Sequence, residues 1–306
     1  MRPILVKLSQ NHMATTFDLS VSCEDARAKL AERLLADAHA RVADLEDELS
    51  EFRPHSSVGR LNASRAGDRV PVSKECVELL ERAERVFART DGAFDPTFRS
   101  GYRARDLREK LEWSASDRWI AKKDERVKLG FGAIGKGFAI DGVRELLERE
   151  GFHDYRLIAG GSSLFLSGLE SPGRPWRIGW SWKKDARGSY FGQEFFHRDG
   201  KPVAIGISGS LEQGEHIAHS TRELISTWVS GSSATEADAL STALYVLGWE
   251  AGYEKIADPL ARLAIAAITR DETPYWNGHF QKNFGAPRTG APESRSTSNL
   301  ERETHS

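Results

Sequence analysis

Residues 15–22, Thr-Thr-Phe-Asp-Leu-Ser-Val-Ser, alternate apolar and polar and predict a half-buried strand. From Glu24 to Leu49 the period changes. Ala26, Leu30, Leu34, Ala38, Val42, Leu45 and Leu49 recur at helical spacing, which predicts a long amphipathic helix with a charged outer face. Proline, glycine and serines over residues 50–64 predict a loop. A second helix is expected over residues 73–89, with Val77, Leu80, Ala83 and Phe87 inward, followed by a turn-rich loop over 90–98. Charges then alternate without clear period to about Asp124. Residues 126–152 read as strand, glycine loop and helix, and residues 155–168 as a hairpin turning at Gly160-Gly161. Further strands are expected over 175–183 and 201–210. Residues 223–231 lead into a helix from Thr235 to Gly248, and residues 261–271 close the regular structure. Beyond about Gly285 the only large apolar residue is Leu300, so residues 286–306 are expected to form a disordered tail on a single unit spanning 1–285. Hairpin-like runs of strands with helices between them point to the α+β class, with largely antiparallel sheets and packed helices.

Composition narrows the function classes. Hydrophobic residues are 39%, charged residues 29% and net charge is −2 in a chain of 306 residues. There is no bulk basic field to suggest nucleic acid or an anionic membrane. Two cysteines, Cys23 and Cys76, form neither a zinc motif nor a disulfide framework. The apolar run Pro3–Val6 is too short for a signal-peptide core, no lipid-attachment cysteine is evident, and no stretch reaches transmembrane length. The expectation is a cytoplasmic protein without a membrane span.

Two features carry candidate chemistry. In the apolar helix 235–248, Asp238 and Thr242 stand four apart and share a face. A carboxylate and a hydroxyl one turn apart suit a hard cation such as Mg²⁺. The alternative is a cap: Ser233-Ala-Thr-Glu236 is a capping-box pattern, and with Thr235 as N-cap Asp238 merely favours the positive helix end. That alternative leaves Thr242 unaccounted for. The second feature, Gly-Phe-Gly-Ala-Ile-Gly at 130–135, matches a dinucleotide-binding turn and, with Lys136, nearly a P-loop. A P-loop needs Ser or Thr after the lysine, where Gly137 stands. A Rossmann site needs an acid at the end of the next strand, where Gly160-Gly161-Ser162 stands. A glycine turn still brings backbone close to a ligand and sets a helix N-terminus against phosphate, with Lys136 as a cation; a tight turn with a solvated lysine is the plainer reading. On the glycine motif alone an NAD(P) oxidoreductase is the rival function.

Taken in order, several segments resemble the ApbE-like FAD:protein FMN transferases. They are Met-Ala-Thr-Thr-Phe (13–17), the stretch from Leu45 to Asn62, Asp-Gly-Ala-Phe-Asp-Pro-Thr (91–97), Gly-Phe-Gly-Ala-Ile-Gly-Lys-Gly-Phe-Ala-Ile-Asp (130–141), Leu-Ile-Ala-Gly-Gly (157–161) and the stretch from Glu236 to Gly248. The resemblance implies a T-fold-like α+β architecture holding FAD and Mg²⁺ in a cleft. It also implies transfer of FMN from FAD to a hydroxyl of an acceptor protein with release of AMP. Some relatives instead act as FAD pyrophosphatases, giving FMN to water, and a degenerate member would bind FAD only.

Residue by residue, the resemblance assigns Asp238, Thr242 and the Ala133 carbonyl to the metal. Phe52 becomes the aromatic face for the isoalloxazine ring, a use that suits a flat apolar side chain, against the plainer reading of a plug at a helix end. Asn62, Asp95, Thr97, Gly160 and Gly161 line the nucleotide cleft, although Asp95 before Pro96 equally initiates a turn. Lys136 and Asp141 become flavin- or phosphate-side contacts; the plainer reading of Asp141 is an exposed helix carboxylate. His216, in the pair His216-Ile217, becomes the base that deprotonates the acceptor hydroxyl. After Ile217 the family's Asp-Pro-x-Thr-Gly turn is replaced by His219-Ser220-Thr221-Arg222-Glu223, which lacks the proline and glycine.

Overall fold

The computed structural model describes residues 3–184, 190–197, 199–209, 221–257, 260–287 and 295–296. Among these, one sheet carries nine strands in the order β1-β2-β6-β7-β10-β11-β12-β13-β14. They are β1 (Ile4–His12), β2 (Thr15–Cys23), β6 (Tyr155–Ala159), β7 (Ser163–Ser167), β10 (Val203–Gly209), β11 (Leu224–Gly231), β12 (Ala264–Thr269), β13 (Pro274–Trp276) and β14 (Arg295–Ser296). Every neighbouring pair is antiparallel except β13–β14, where Tyr275 and Trp276 face Arg295 and Ser296 in parallel. A small separate sheet consists of β3 (Val70–Pro71), β5 (Trp119–Lys122) and β4 (Leu111–Ser114), and β8 (Trp176–Lys184) pairs with β9 (Tyr190–His197) as a ribbon. The expected α+β class with largely antiparallel sheets is what the chain adopts.

Alternation along the strands divides the main sheet's side chains between two cores. Phe17, Leu19, Leu157, Phe165, Ala204, Val229 and Ile265 face the helices α1 (Ala28–Leu49), α4 (Gly135–Arg149) and α5 (Ala234–Leu247). Leu164, Leu166, Ile205, Trp228, Ala266 and Ile268 face the opposite way, where Trp176, Ile178, Trp180 and Trp182 of β8 and Phe280 of α7 (Gly278–Phe284) cover them. The period-2 pattern is what lets one sheet serve both cores.

Three local expectations are corrected. β1 was not anticipated, because Gln10, Asn11 and other exposed polar residues dilute its alternation at a sheet edge; it pairs along its length with β2 from Ile4–Cys23 to His12–Thr15. Met13 and Ala14 close that hairpin with φ of 50° and 58°, so two non-glycine residues hold left-handed backbone there. The expected loop 50–64 contains a helix, α2 (Ser57–Ala63), because Ser56 caps it by accepting from the Gly59 amide at 2.7 Å. The strand expected before the glycine loop joins no ladder. Side chains and loop carbonyls take its backbone groups instead: Lys128 N donates to Ser100 Oγ, Leu129 N to Asn62 Oδ1, and Gly130 N to the Pro96 carbonyl.

Candidate active site

α5 is positioned by two missing side chains. A Cβ on Gly137 of α4 would collide with the Ala234 carbonyl and the Thr235 amide, and one on Gly206 of β10 would collide with the backbone of Ala237 and Asp238. Glycine at both positions lets α5 lie against a helix and a strand at backbone contact distance. Gly137 is therefore the reason the P-loop pattern breaks where it does: the position is filled by a neighbouring helix. A second tie comes from Asp141. Its buried carboxylate accepts from Ser233 Oγ (2.8 Å), Ala234 N (2.9 Å), Thr235 N (3.0 Å) and Thr235 Oγ1 (2.6 Å). These satisfy amides at the start of α5 that have no partner within the helix. The structure thus places Asp141 inside the α4–α5 junction rather than on an exposed face.

Ser233 is the N-cap of α5, accepting from Glu236 N, so Asp238 does not cap the helix. Its carboxylate points back across the junction. Oδ2 accepts from the Gly137 amide at 2.8 Å and from the Ser163 hydroxyl at 2.6 Å. Oδ1 is buried and has no partner. Burial pushes the carboxyl up to about 7, against the pull of the nearby Lys136 ammonium and the two hydrogen bonds. Thr242 is half-buried one turn on; its hydroxyl donates to the Asp238 carbonyl at 3.2 Å and lies 3.1 Å from Ser208 Oγ. In a continuing helix Gly137 N would bond the Ala133 carbonyl. Here it is spent on Asp238, which leaves the Ala133 carbonyl without that donor at the same junction.

The other flank of the glycine loop gathers most of the remaining candidates. The side-chain amide of Asn62 clamps Leu129 from both sides, donating to its carbonyl and accepting from its amide, each at 2.8 Å. Asp95 accepts from the Thr97 amide and hydroxyl and from Lys110, whose side chain is fully buried. Asn62, Asp95 and Thr97 therefore shape the loop with their polar groups turned inward. Phe52 is 77% exposed beyond the end of α1. Arg99 sits 5.6 Å from its ring centroid and 5.6 Å from that of Phe98, while pairing with Glu51 at 2.7 Å. The Glu51 carboxylate in turn stands 2.9 Å from where a Gly130 side chain would begin. Burial raises the Glu51 carboxyl, and Arg99 draws it down. Lys136 Nζ is near the Gly132 carbonyl at 3.4 Å. Gly160 and Gly161 make the β6–β7 turn with φ of 59° and 69°, and the turn delivers Ser163 to Asp238. His216 and His219 lie outside the described residues.

The sequence did not single out Ser163, Ser208, Glu51 or Arg99. Ser163 follows the Gly-Gly pair, but only the strand order β6-β7-β10, with α5 packed on it, brings it to a residue 75 positions away.

A family model described as the ApbE family matches residues 13–267. The chain belongs to the ApbE family. The FAD:protein FMN transferase of Salmonella typhimurium is 26% identical, over 83% of this chain and 82% of its own length. That of Escherichia coli (strain K12) is 25% identical, over 85% and 82%. Among solved structures, the flavin transferase ApbE from Vibrio cholerae superposes with a TM-score of 0.76 at 22% identity, covering 92% of this chain and 99% of that one. The apo form of the Pseudomonas stutzeri flavinyl transferase ApbE gives 0.76 at 25% identity, covering 94% and 98%. The likeness to these structures extends over nearly the whole fold. No helix among the described residues is long and apolar enough to cross a membrane.

The donor set suits a hard divalent cation. It offers one carboxylate oxygen without a partner, a hydroxyl at Thr242 and a carbonyl at Ala133, all oxygen. Among the described residues no group of three or more His, Cys, Asp or Glu is placed to hold a metal alone. The remaining positions would fall to phosphate and water, which is how Mg²⁺ is commonly bound.

Proposed function

We propose that the chain is an Mg²⁺-dependent FAD:protein FMN transferase, moving FMN from FAD to a Thr or Ser hydroxyl of an acceptor protein and releasing AMP. The observation that carries the metal part is the buried, partnerless Oδ1 of Asp238 beside Thr242. Family membership and the names of the relatives support the reaction.

Asp238, Thr242 and the Ala133 carbonyl would hold the cation, which supplies charge neutralisation on the pyrophosphate as its bond breaks. Lys136, at the N-terminal turn of α4, adds positive charge where the phosphates enter. Phe52 offers an exposed aromatic face to the isoalloxazine ring, and Asn62, Asp95 and Thr97 fix the loop wall beside it. The acceptor hydroxyl oxygen bonds to the riboflavin-side phosphorus, the bond from that phosphorus to the bridging oxygen breaks, and AMP departs with that oxygen. His216 takes the hydroxyl proton.

One incubation with FAD, Mg²⁺ and a flavin-acceptor protein tests this reading by resolving AMP, free FMN and protein-bound flavin. AMP with bound flavin is the expected result. AMP with free FMN means that water is the acceptor, the outcome favoured if the replaced turn after Ile217 cannot seat a protein hydroxyl. Neither product means a binder without chemistry. His216→Ala is expected to keep FAD binding and to lose transfer by at least about a hundredfold, the usual contribution of a positioned base. Near-normal transfer by that variant with an unchanged pH profile assigns the base elsewhere.

Phe52→Ala is expected to weaken FAD binding about tenfold or more, by analogy with the roughly 1–3 kcal/mol of base stacking, while leaving ADP binding unchanged. Titrations of both ligands check it. Equal losses for FAD and ADP indicate a collapsed site rather than a lost ring contact.

A further inference from the structure

We infer that Ser163 is a specificity-determining residue: with the Gly137 amide it occupies Oδ2 of Asp238, restricts the carboxylate to one ligating oxygen and so favours Mg²⁺ over Ca²⁺. The inference rests on the metal reading proposed above and adds to it which cation the junction accepts and why.

Ser163 Oγ at 2.6 Å and Gly137 N at 2.8 Å both donate to Oδ2, and Oδ1 has no partner. A carboxylate oxygen that already accepts two hydrogen bonds has little lone-pair capacity left for a cation. The carboxylate is then a one-oxygen ligand through Oδ1. Mg²⁺ requires near-ideal octahedral geometry at short distances and is served well by single oxygens. Ca²⁺ takes six to eight oxygens and gains from carboxylates that bind through both.

Neither donor is free to move away. Ser163 is fully buried at the first position of β7 and faces Gly206 across the β7–β10 ladder. Gly137 N is fixed because α4 and α5 touch at backbone distance there. Thr242 is constrained in the same sense. Its hydroxyl donates to the Asp238 carbonyl at 3.2 Å, which commits its one proton, and its oxygen lies 3.1 Å from Ser208 Oγ. The Thr242 oxygen is left as an acceptor, again through a single atom. The geometry therefore presents one oxygen per residue, which is a Mg²⁺ pattern.

The test measures cation preference rather than turnover. Mn²⁺ binding is followed by electron paramagnetic resonance with saturating ADP, which carries the adenosine and pyrophosphate of FAD without riboflavin, and bound Mn²⁺ is displaced with Mg²⁺ or Ca²⁺. Wild type, Ser163→Ala and Ser163→Thr are compared. In Ser163→Ala, Oδ2 is released from its shorter hydrogen bond and the Mg²⁺/Ca²⁺ preference is expected to fall at least about tenfold. Ser163→Thr keeps the hydroxyl and is expected to keep the preference. Should the alanine variant fail to fold, Ser163→Cys, close in volume with a weak donor, is expected to read between the two. An unchanged ratio in a folded Ser163→Ala or Ser163→Cys protein overturns this inference while leaving the metal site standing. A wild type with no Mn²⁺ site in the presence of ADP overturns the metal reading itself, and the inference with it.

Discussion

Asp238→Asn is expected to lower Mg²⁺-dependent AMP release from FAD by about a thousandfold or more, the several kcal/mol that a bound cation contributes to charge stabilisation. FAD affinity should fall far less, since the contacts proposed for Phe52 and the loop wall are untouched. The same variant separates metal binding from helix support, because its stability should move the other way. The Asp238 carboxyl stands at about 7 in the metal-free protein, against about 3.9 in an unfolded chain. The folded state therefore holds a proton that the unfolded state releases. The stability this gives is complete below about pH 4 and is lost as pH rises through about 7, on the order of 4 kcal/mol in all. Asparagine does not titrate. In EDTA at pH 8 the variant should melt above wild type, and the difference should close towards pH 4. Unfolding followed at several pH values checks this. An Asp238→Asn protein that melts far below wild type at pH 8, yet cleaves FAD normally per folded molecule, would mean that the carboxylate serves packing alone.

Asp141→Ala should act on stability. The carboxylate holds two backbone amides and two hydroxyls at the start of α5, and Arg82 stands 4.0 Å away. Alanine would leave those buried donors without an acceptor, at a cost of about 3–5 kcal/mol. For a chain of this size that lowers the melting temperature by on the order of 10 °C. Asp141→Asn, which keeps an acceptor oxygen but not the charge, should fall between. A variant that melts within a degree or two of wild type, but binds FAD poorly, would move Asp141 from the junction to the ligand.

Much of this was legible in the chain. The helix over Glu24–Leu49 and that over 73–89 carry strong 3.6-residue periods, and both form, as α1 and as α3 (Lys74–Arg89). The Gly160-Gly161 hairpin was readable because paired glycines favour the two left-handed positions that the turn requires. Asp238 and Thr242 drew attention because polar residues stand out in an apolar helix. What stayed hidden depends on partners remote in sequence. Nothing local says that Asn62 will replace a strand neighbour for Leu129, or that Glu51 will lie against Gly130. The glycine motif illustrates the limit: its spacing suggests phosphate loops, while Gly137 answers to the backbone of Ala234.

The junction at Asp238 also has a consequence for the order of events during synthesis. Gly137, Ser163 and Asp238 are separated by 101 and 75 positions from the residues they meet. Contacts of that span form only after the intervening chain has been threaded into place. Ser163 emerges from the ribosome long before Asp238, and α5 packs where Gly206 of β10, paired with Ser163 of β7, leaves room for its backbone. A nascent chain that stops short of residue 242 would have the glycine loop, the exposed phenylalanine and most of the loop wall, but not the full set of oxygen donors that α5 contributes. The proposed capacity to cleave FAD would thus arise only once nearly the whole sheet is assembled, so that truncated or stalled chains would be inert towards it.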